Sequence, residues 1–247
     1  MPTHAPRLAL LLFAGLVPSC RSSAEWSYAG ETGPEHWGDL DPGYELAKTG
    51  RSQSPVDIRA QKASASALDP LRTAYKAGTA TAFNDGAVVG LFVAPGSALG
   101  VGSERYELRR FEFHSPSEHT IDGEHAELEA HLLHEDATGR VAVVAVLVRA
   151  GRENAFLRSF WSQMPRKPGR EVPVDGAVNP SAILPASLAS FRYTGSLTTP
   201  PCTEGVRWFV LRSPVEASIE QIDAFRAIVD GNNRPTQPVF GREIASD

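Results

Sequence analysis

Phe111-Glu112-Phe113-His114-Ser115-Pro116-Ser117-Glu118-His119-Thr120-Ile121-Asp122-Gly123, followed by Glu129-Ala130-His131-Leu132-Leu133-His134, is the stretch on which the reading of this chain turns. Five of the seven histidines fall between residues 114 and 134. Tyr106–His114 alternates charged and apolar residues, which predicts a strand. Residues i and i+2 of a strand project to one face, so Arg110, Glu112 and His114 lie together. Glu127–His134 predicts the next strand, with Glu129, His131 and Leu133 on one face. The turn signal Asp122-Gly123 stands between them. A hairpin that sets these faces side by side gathers Glu112, His114 and His131. Two imidazoles and one carboxylate are a catalytic zinc set that leaves a fourth position open to water. Histidines also occur in strands as ordinary hydrogen-bonded residues, and spacing alone does not choose between the two.

Outward from this stretch, the apolar runs Ala87–Ala94, Val141–Val148 and Phe209–Arg212 predict further strands. With the second turn signal, Thr138-Gly139, they suggest a meander of antiparallel strands. Ala155–Met164, capped by Asn154, and Ile219–Val229, ending near Gly231, predict short helices. The Pro-rich stretch 165–185 reads as a long loop. Residues from Trp26 to about Trp37 read as irregular structure, and Gln53–Ile58 as a turn entering an extended segment. No repeat or internal linker divides the chain. A length of 247 residues with 42% hydrophobic and 21% charged residues fits one large β-rich or α/β domain, or two small ones, with a sizeable core; with the strand pattern, the expected class is one mainly β (α+β) domain. A net charge of -5 gives no basis for a nucleic-acid partner.

The first twenty residues read as a signal peptide. Arg7 precedes the apolar run Leu8–Val17, which is too short to span a bilayer. Val17-Pro18-Ser19-Cys20 resembles a bacterial lipoprotein cleavage box, in which Cys20 becomes the lipidated N-terminus; the alternative is an ordinary secretory signal. Residues 21–25 then form a polar linker and 26–247 the domain. The expected location is exported: periplasmic, or anchored to the outer membrane by lipid. With Cys20 removed or lipidated, Cys202 stands alone and no internal disulfide is expected.

The stretch from Phe111 to Gly123 resembles the signature of the alpha-class carbonic anhydrases, which read His-x-His before Ser-Glu-His. Glu129–His134 is similar to the segment carrying their third ligand, and Gly195-Ser196-Leu197-Thr198-Thr199-Pro200-Pro201-Cys202 to their active-site loop. Gln53–Ile58 and Asn233-Arg234-Pro235-Thr236-Gln237-Pro238 extend the resemblance, which runs from about Trp26 to Glu243. It implies a single large, twisted, mostly antiparallel β-sheet with short peripheral helices. It also implies a Zn2+ cofactor and carbon dioxide and bicarbonate as substrate and product. By the resemblance, His114 and His131 match two zinc ligands. Glu129 matches the carboxylate that orients His131, an effect for which carbonic anhydrase is itself the usual illustration. Thr198 matches the hydroxyl that aligns the attacking oxygen, Glu118 the carboxylate that orients that hydroxyl, and Asn232 a backbone carbonyl contact to the second ligand. Val143, Leu197, Thr199, Val206 and Trp208 match the substrate pocket.

The departures from the pattern are as informative. Glu112 stands where the family has its first zinc-ligand histidine, and Arg110 where it has a supporting glutamine. Ala87 stands at the position of the proton-shuttle histidine, and Ala47 where bacterial relatives have a cysteine that pairs with the one matched by Cys202. Glu112 is then either a ligand braced by Arg110, with reduced activity because an anionic ligand weakens the field at the metal, or half of an ion pair that replaces the metal. The expected function is zinc-dependent hydration of carbon dioxide. The alternatives are a catalytically inactive binding protein and a zinc hydrolase of small esters. His119 and His134 read as structural and His125 as solvated.

Overall fold

The computed structural model describes residues 25–247. The expected signal peptide, Cys20 and nearly all of the expected linker lie outside the described residues. Among the described residues, no helix is long and apolar enough to cross a membrane.

A 13-stranded mixed sheet organises the domain. Ten of its strands form one continuous path: β1 (Ser64–Ala65), β2 (Ala80–Asn84), β3 (Val89–Val93), β4 (Glu104–His114), β5 (Leu128–Glu135), β6 (Val141–Ala150), β7 (Arg170–Pro173), β8 (Ser190–Ser196), β9 (Glu204–Leu211) and β10 (Ala245–Ser246). Their spatial order is β7-β2-β3-β4-β5-β6-β9-β8-β10-β1. Most neighbours are antiparallel, as expected, but β6 pairs with β9 in parallel. The simple meander therefore stops at β6. The chain then crosses to the far edge of the sheet at β7 and comes back through β8 and β9. The Pro-rich stretch on this route is more than the bare loop expected: Arg170–Pro173 pairs antiparallel with β2 as an edge strand, and Pro180–Ile183 forms a 3-10 turn. A Pro at the end of an edge strand is tolerated because its missing N–H faces no partner.

Both faces of the central strands are buried, which is why Val141–Val148 reads as a nearly unbroken apolar run. One face of β4, β5 and β6 presents Phe111, Phe113, Leu132 and Val144 to a large core. That core also holds Phe156, Phe160, Trp161 and Phe225 from the helical side. The opposite face carries a smaller apolar cluster including Leu133, Val143, Tyr193, Val206 and Trp208. The polar residues Glu112, His114, Glu129 and His131 are interleaved on this second face, and all are buried.

The two expected helices are shorter than their apolar patterns. Asn154 does cap the first by accepting from the Phe156 and Leu157 amides, but the α-helix covers only Ala155–Arg158 before a 3-10 turn at Trp161–Gln163. The second, Ile219–Arg226, opens with a capping box between Ser218 and Gln221 and ends before Val229. In both, the apolar spacing continues because the following residues still pack on the core. The Asp122-Gly123 turn behaves as its sequence suggests: both residues take positive φ, 53° and 92°, and close the short hairpin Thr120–Ile121/Glu124–His125.

Candidate metal centre

The register of two strands builds the site. In the antiparallel pair β4/β5, His131 lies directly opposite Glu112, and Glu129 opposite His114. The period of two puts all four side chains on one face. One ligand atom from each of Glu112, His114 and His131 falls within 4.8 Å of the others, with all three residues buried.

Hydrogen bonds fix the two rings in the tautomers a metal requires. His114 Nδ1 lies 2.7 Å from the Asn232 carbonyl oxygen. A carbonyl only accepts, so Nδ1 donates and Nε2 is left with its lone pair. That Nε2 is buried and has no hydrogen-bond partner. His131 Nε2 donates to Glu129 Oε1 at 2.8 Å, which leaves its Nδ1 free. Burial opposes charging of His114, but the Glu118 carboxylate, the Asn232 carbonyl and the Glu112 and Glu129 carboxylates outweigh it and raise its pKa. The same field that favours a proton on His114 favours a cation in its place.

Glu112 is gripped from the solvent side. Arg110 Nε donates to Glu112 Oε1 at 2.7 Å, with the guanidinium side chain 37% exposed and the carboxylate 8%. Both residues line a cleft of about 710 Å³ whose walls include Phe83, Val88, Trp26 and Thr199. Gly90, the register partner of Glu112 on β3, is required there because a Cβ would overlap the Phe111 carbonyl oxygen and the Phe83 ring.

A second cluster, His119, Glu129 and His131, also has metal-ligand spacing. Its hydrogen bonds exclude that role. His119 Nδ1 donates to Glu129 Oε1 at 2.6 Å, the His119 amide to Glu129 Oε2 at 2.8 Å, and His119 Nε2 meets the Tyr193 hydroxyl at 2.7 Å. Tyr193 continues the chain to Ser54 Oγ at 2.8 Å. Both His119 ring nitrogens and both Glu129 oxygens already hold hydrogen bonds, so it is a bracing network behind His131. Burial disfavours the Glu129 charge, but the two rings and their N–H bonds hold its pKa well below the usual carboxylate range.

Glu118 is completely buried and accepts from the Arg234 amide at 2.7 Å through Oε1, while Oε2 has no partner and lies 3.8 Å from His131 Nδ1. No hydrogen bond joins Glu118 Oε2 to Thr198, the residue Glu118 was expected to orient. Thr198 is buried in the turn after β8. Val143 and Trp208 are register partners on β6 and β9 and pack with Val206 and Leu197. The Trp208 ring lies 4.9 Å from that of His131, centroid to centroid. His134 is indeed structural, bonded to Tyr75 at 2.7 Å and set away from the site. His125 is exposed, as expected, though its ring also donates to the Ser117 carbonyl. Cys202 is a buried free thiol.

Sequence spacing does not point to Tyr28, Arg234, Tyr193 or Ser54 as site residues. The Tyr28 hydroxyl is buried without a partner, and burial, then the charges of Glu118 and Glu112, raise its pKa well above normal. Each of these residues reaches the site from a segment remote in sequence; Ser54 and Arg234 fall within stretches that carry the resemblance but receive no role from it, and Tyr28 and Tyr193 have no local signal.

Comparison with known proteins agrees with this geometry. The family model for eukaryotic-type carbonic anhydrase matches residues 32–247. A carbonic anhydrase from Pectobacterium carotovorum is 41% identical over 238 residues, covering 96% of this chain and 97% of its own. The alpha-carbonic anhydrase from Thermovibrio ammonificans, solved in complex with the inhibitor sulfanilamide, superposes with a TM-score of 0.89 at 40% identity, covering 91% of this chain and all of that one. A dioscorin complexed with ascorbate superposes with a TM-score of 0.85 at 35% identity, covering 90% and 97%.

Proposed function

The chain belongs to the eukaryotic-type, or alpha, carbonic anhydrase family, and we propose that it hydrates carbon dioxide reversibly to bicarbonate at a zinc site made of Glu112, His114 and His131. The observation that carries this ligand set is the buried, unpartnered Nε2 of His114, within reach of Glu112 and His131. Leaving such an atom without a partner costs roughly 1–3 kcal/mol. A cation at the triangle satisfies it.

Zinc held there supplies Lewis acidity and ionises water close to neutral pH. The chain's own residues do the rest. Glu129 holds the His131 ring in one tautomer and Asn232 does the same for His114. Arg110 holds Glu112 by one oxygen and leaves the other for the metal. Thr198 offers a hydroxyl to align the attacking oxygen, and Glu118, whose Oε2 has no other partner, is the carboxylate that would fix its direction once the two close to hydrogen-bond distance. Val143, Leu197, Val206 and Trp208 form an apolar wall where carbon dioxide rests, and Thr199 stands on the cleft side. Two features reduce the rate. An anionic ligand lowers the positive charge at the metal, so water ionises at higher pH. Ala87 offers no titrating side chain at the position where the family carries a proton-shuttle histidine, so the proton passes to buffer or solvent.

The Arg110–Glu112 pair itself favours a second reading, in which the two charges neutralise each other and the pocket binds without turnover. Metal analysis followed by stopped-flow hydration separates the readings. About one zinc per chain with hydration rising at alkaline pH supports the enzyme. Zinc far below one per chain with hydration at the uncatalysed rate supports the binding protein. We propose also that Cys20 carries a lipid anchor; an N-terminal peptide whose mass lacks a diacylglyceryl group removes that assignment.

A further inference from the structure

Glu112 alters the kind of metal the site prefers as well as its charge. Resting on the metal-binding reading above, we propose that the Glu112–His114–His131 triangle accepts a divalent ion with octahedral preference, manganese(II) or iron(II), far more readily than a three-imidazole site does.

The strand register comes first. Glu112 and His131 are directly opposed and His114 lies two residues along, so the donors define a triangle on one face of the sheet. Three donors in a triangle occupy one face of the coordination sphere. Two histidines and one carboxylate in this arrangement, with open positions opposite, are the donor set of non-haem iron(II) sites.

The grip of Arg110 comes second. It occupies Glu112 Oε1, so the carboxylate offers one oxygen and does not spread over two positions. Of the three donors, Glu112 alone lines the cleft of about 710 Å³, which has room for several waters, so oxygen ligands from solvent would reach an ion from the carboxylate side.

The third observation is the charge around the triangle. Glu118 and Glu129 are fully buried beside the two rings, and Glu118 Oε2 has no partner. Glu129 is committed to the His119 and His131 N–H groups, so Glu112 and the unpartnered Glu118 oxygen are the negative charges the triangle offers a cation. Carboxylate and water suit hard ions such as manganese(II), while imidazole favours zinc. Exchanging one imidazole for a carboxylate therefore removes part of the advantage of zinc.

The test uses the mature protein and its Glu112→His variant, both stripped with a chelator. Manganese(II) is titrated in and followed by the loss of its free-ion electron paramagnetic resonance signal, and zinc is then used to displace it. The ratio of manganese to zinc dissociation constants is expected to be about tenfold or more smaller in the native protein than in Glu112→His. Cobalt(II) substitution provides a spectral check, with weak visible bands of higher coordination in the native protein and intense four-coordinate bands in the variant. Should Glu112→His fail to fold, Glu112→Gln keeps the size and removes the charge, and is expected to lose manganese binding more than zinc binding. Equal ratios, or an intense four-coordinate cobalt spectrum in the native protein, overturn the proposal while leaving a zinc enzyme intact. Failure to bind any divalent ion overturns both.

Discussion

Arg110 and Glu112 sit two residues apart on one strand, and each determines what the other can do. Loss of a residue that orients a metal ligand costs about 10–100-fold in metal affinity. Arg110→Gln should therefore weaken zinc binding by that factor, measured by competition with a chromophoric chelator, while circular dichroism stays unchanged. Glu112→His should act in the opposite sense. Restoring a neutral ligand raises the charge at the metal, so the midpoint of the hydration pH profile should move to lower pH. At neutral pH the rate should rise by about tenfold. Stopped-flow measurements from pH 6 to about 10 read both; an unmoved midpoint would show that Glu112 is not a ligand. The triangle was legible in the sequence because it needs only the two-residue period of a strand and one adjacent hairpin. Of the partners that fix the tautomers, Glu129 lies two residues from His131, whereas Asn232, 118 residues from His114, was reachable only through the family resemblance.

At the scale of elements, β3 and β4 must approach without a side chain between them at Gly90. Gly90→Ala would press a methyl against the Phe111 carbonyl and the Phe83 ring, and backbone on β4 cannot yield without shifting Glu112. Overpacking of this kind costs about 1–3 kcal/mol. Chemical denaturation should show that loss for Gly90→Ala. Gly100→Ala, whose added carbon meets nothing closer than 3.7 Å, should change stability by less than about 1 kcal/mol. Equal losses in the two variants would contradict the assigned packing. Strands β4, β5 and β6 could be read from alternation, apolar runs and turn residues. Part of β9 was also readable, as Phe209–Arg212, but its parallel pairing with β6 was not, because parallel pairing joins segments far apart in the chain and leaves no turn between them.

For the whole molecule, acid sensitivity has an identifiable source away from the metal centre. His134 is buried between Tyr75, whose hydroxyl donates to Nε2, and the Ala142 carbonyl. Burial pushes its pKa down to about 4 from an ordinary value of 6.5, against the pull of the backbone carbonyls. The unfolded chain takes up a proton near pH 6.5 and the folded chain does not. Stability contributed by neutral His134 is therefore complete above that pH and is lost as pH falls towards 4, by up to about 3 kcal/mol. Thermal unfolding of the native protein should weaken between pH 7 and pH 4.5, and His134→Gln should weaken less over the same interval. A parallel decline in both proteins would assign the acid sensitivity elsewhere. The two-residue period that groups Glu129, His131 and Leu133 already sets His134 apart as structural, but its partner Tyr75, 59 residues away, was not readable from that stretch.

The most direct test is X-ray absorption at the zinc edge on protein produced with zinc. The expected spectrum has two imidazole nitrogens and carboxylate oxygen at about 2.0–2.2 Å, with close to one zinc per chain, and Glu112→Ala should remove the oxygen shell or the metal. A chain that holds almost no zinc, or whose zinc spectrum is indifferent to Glu112→Ala, would contradict the account.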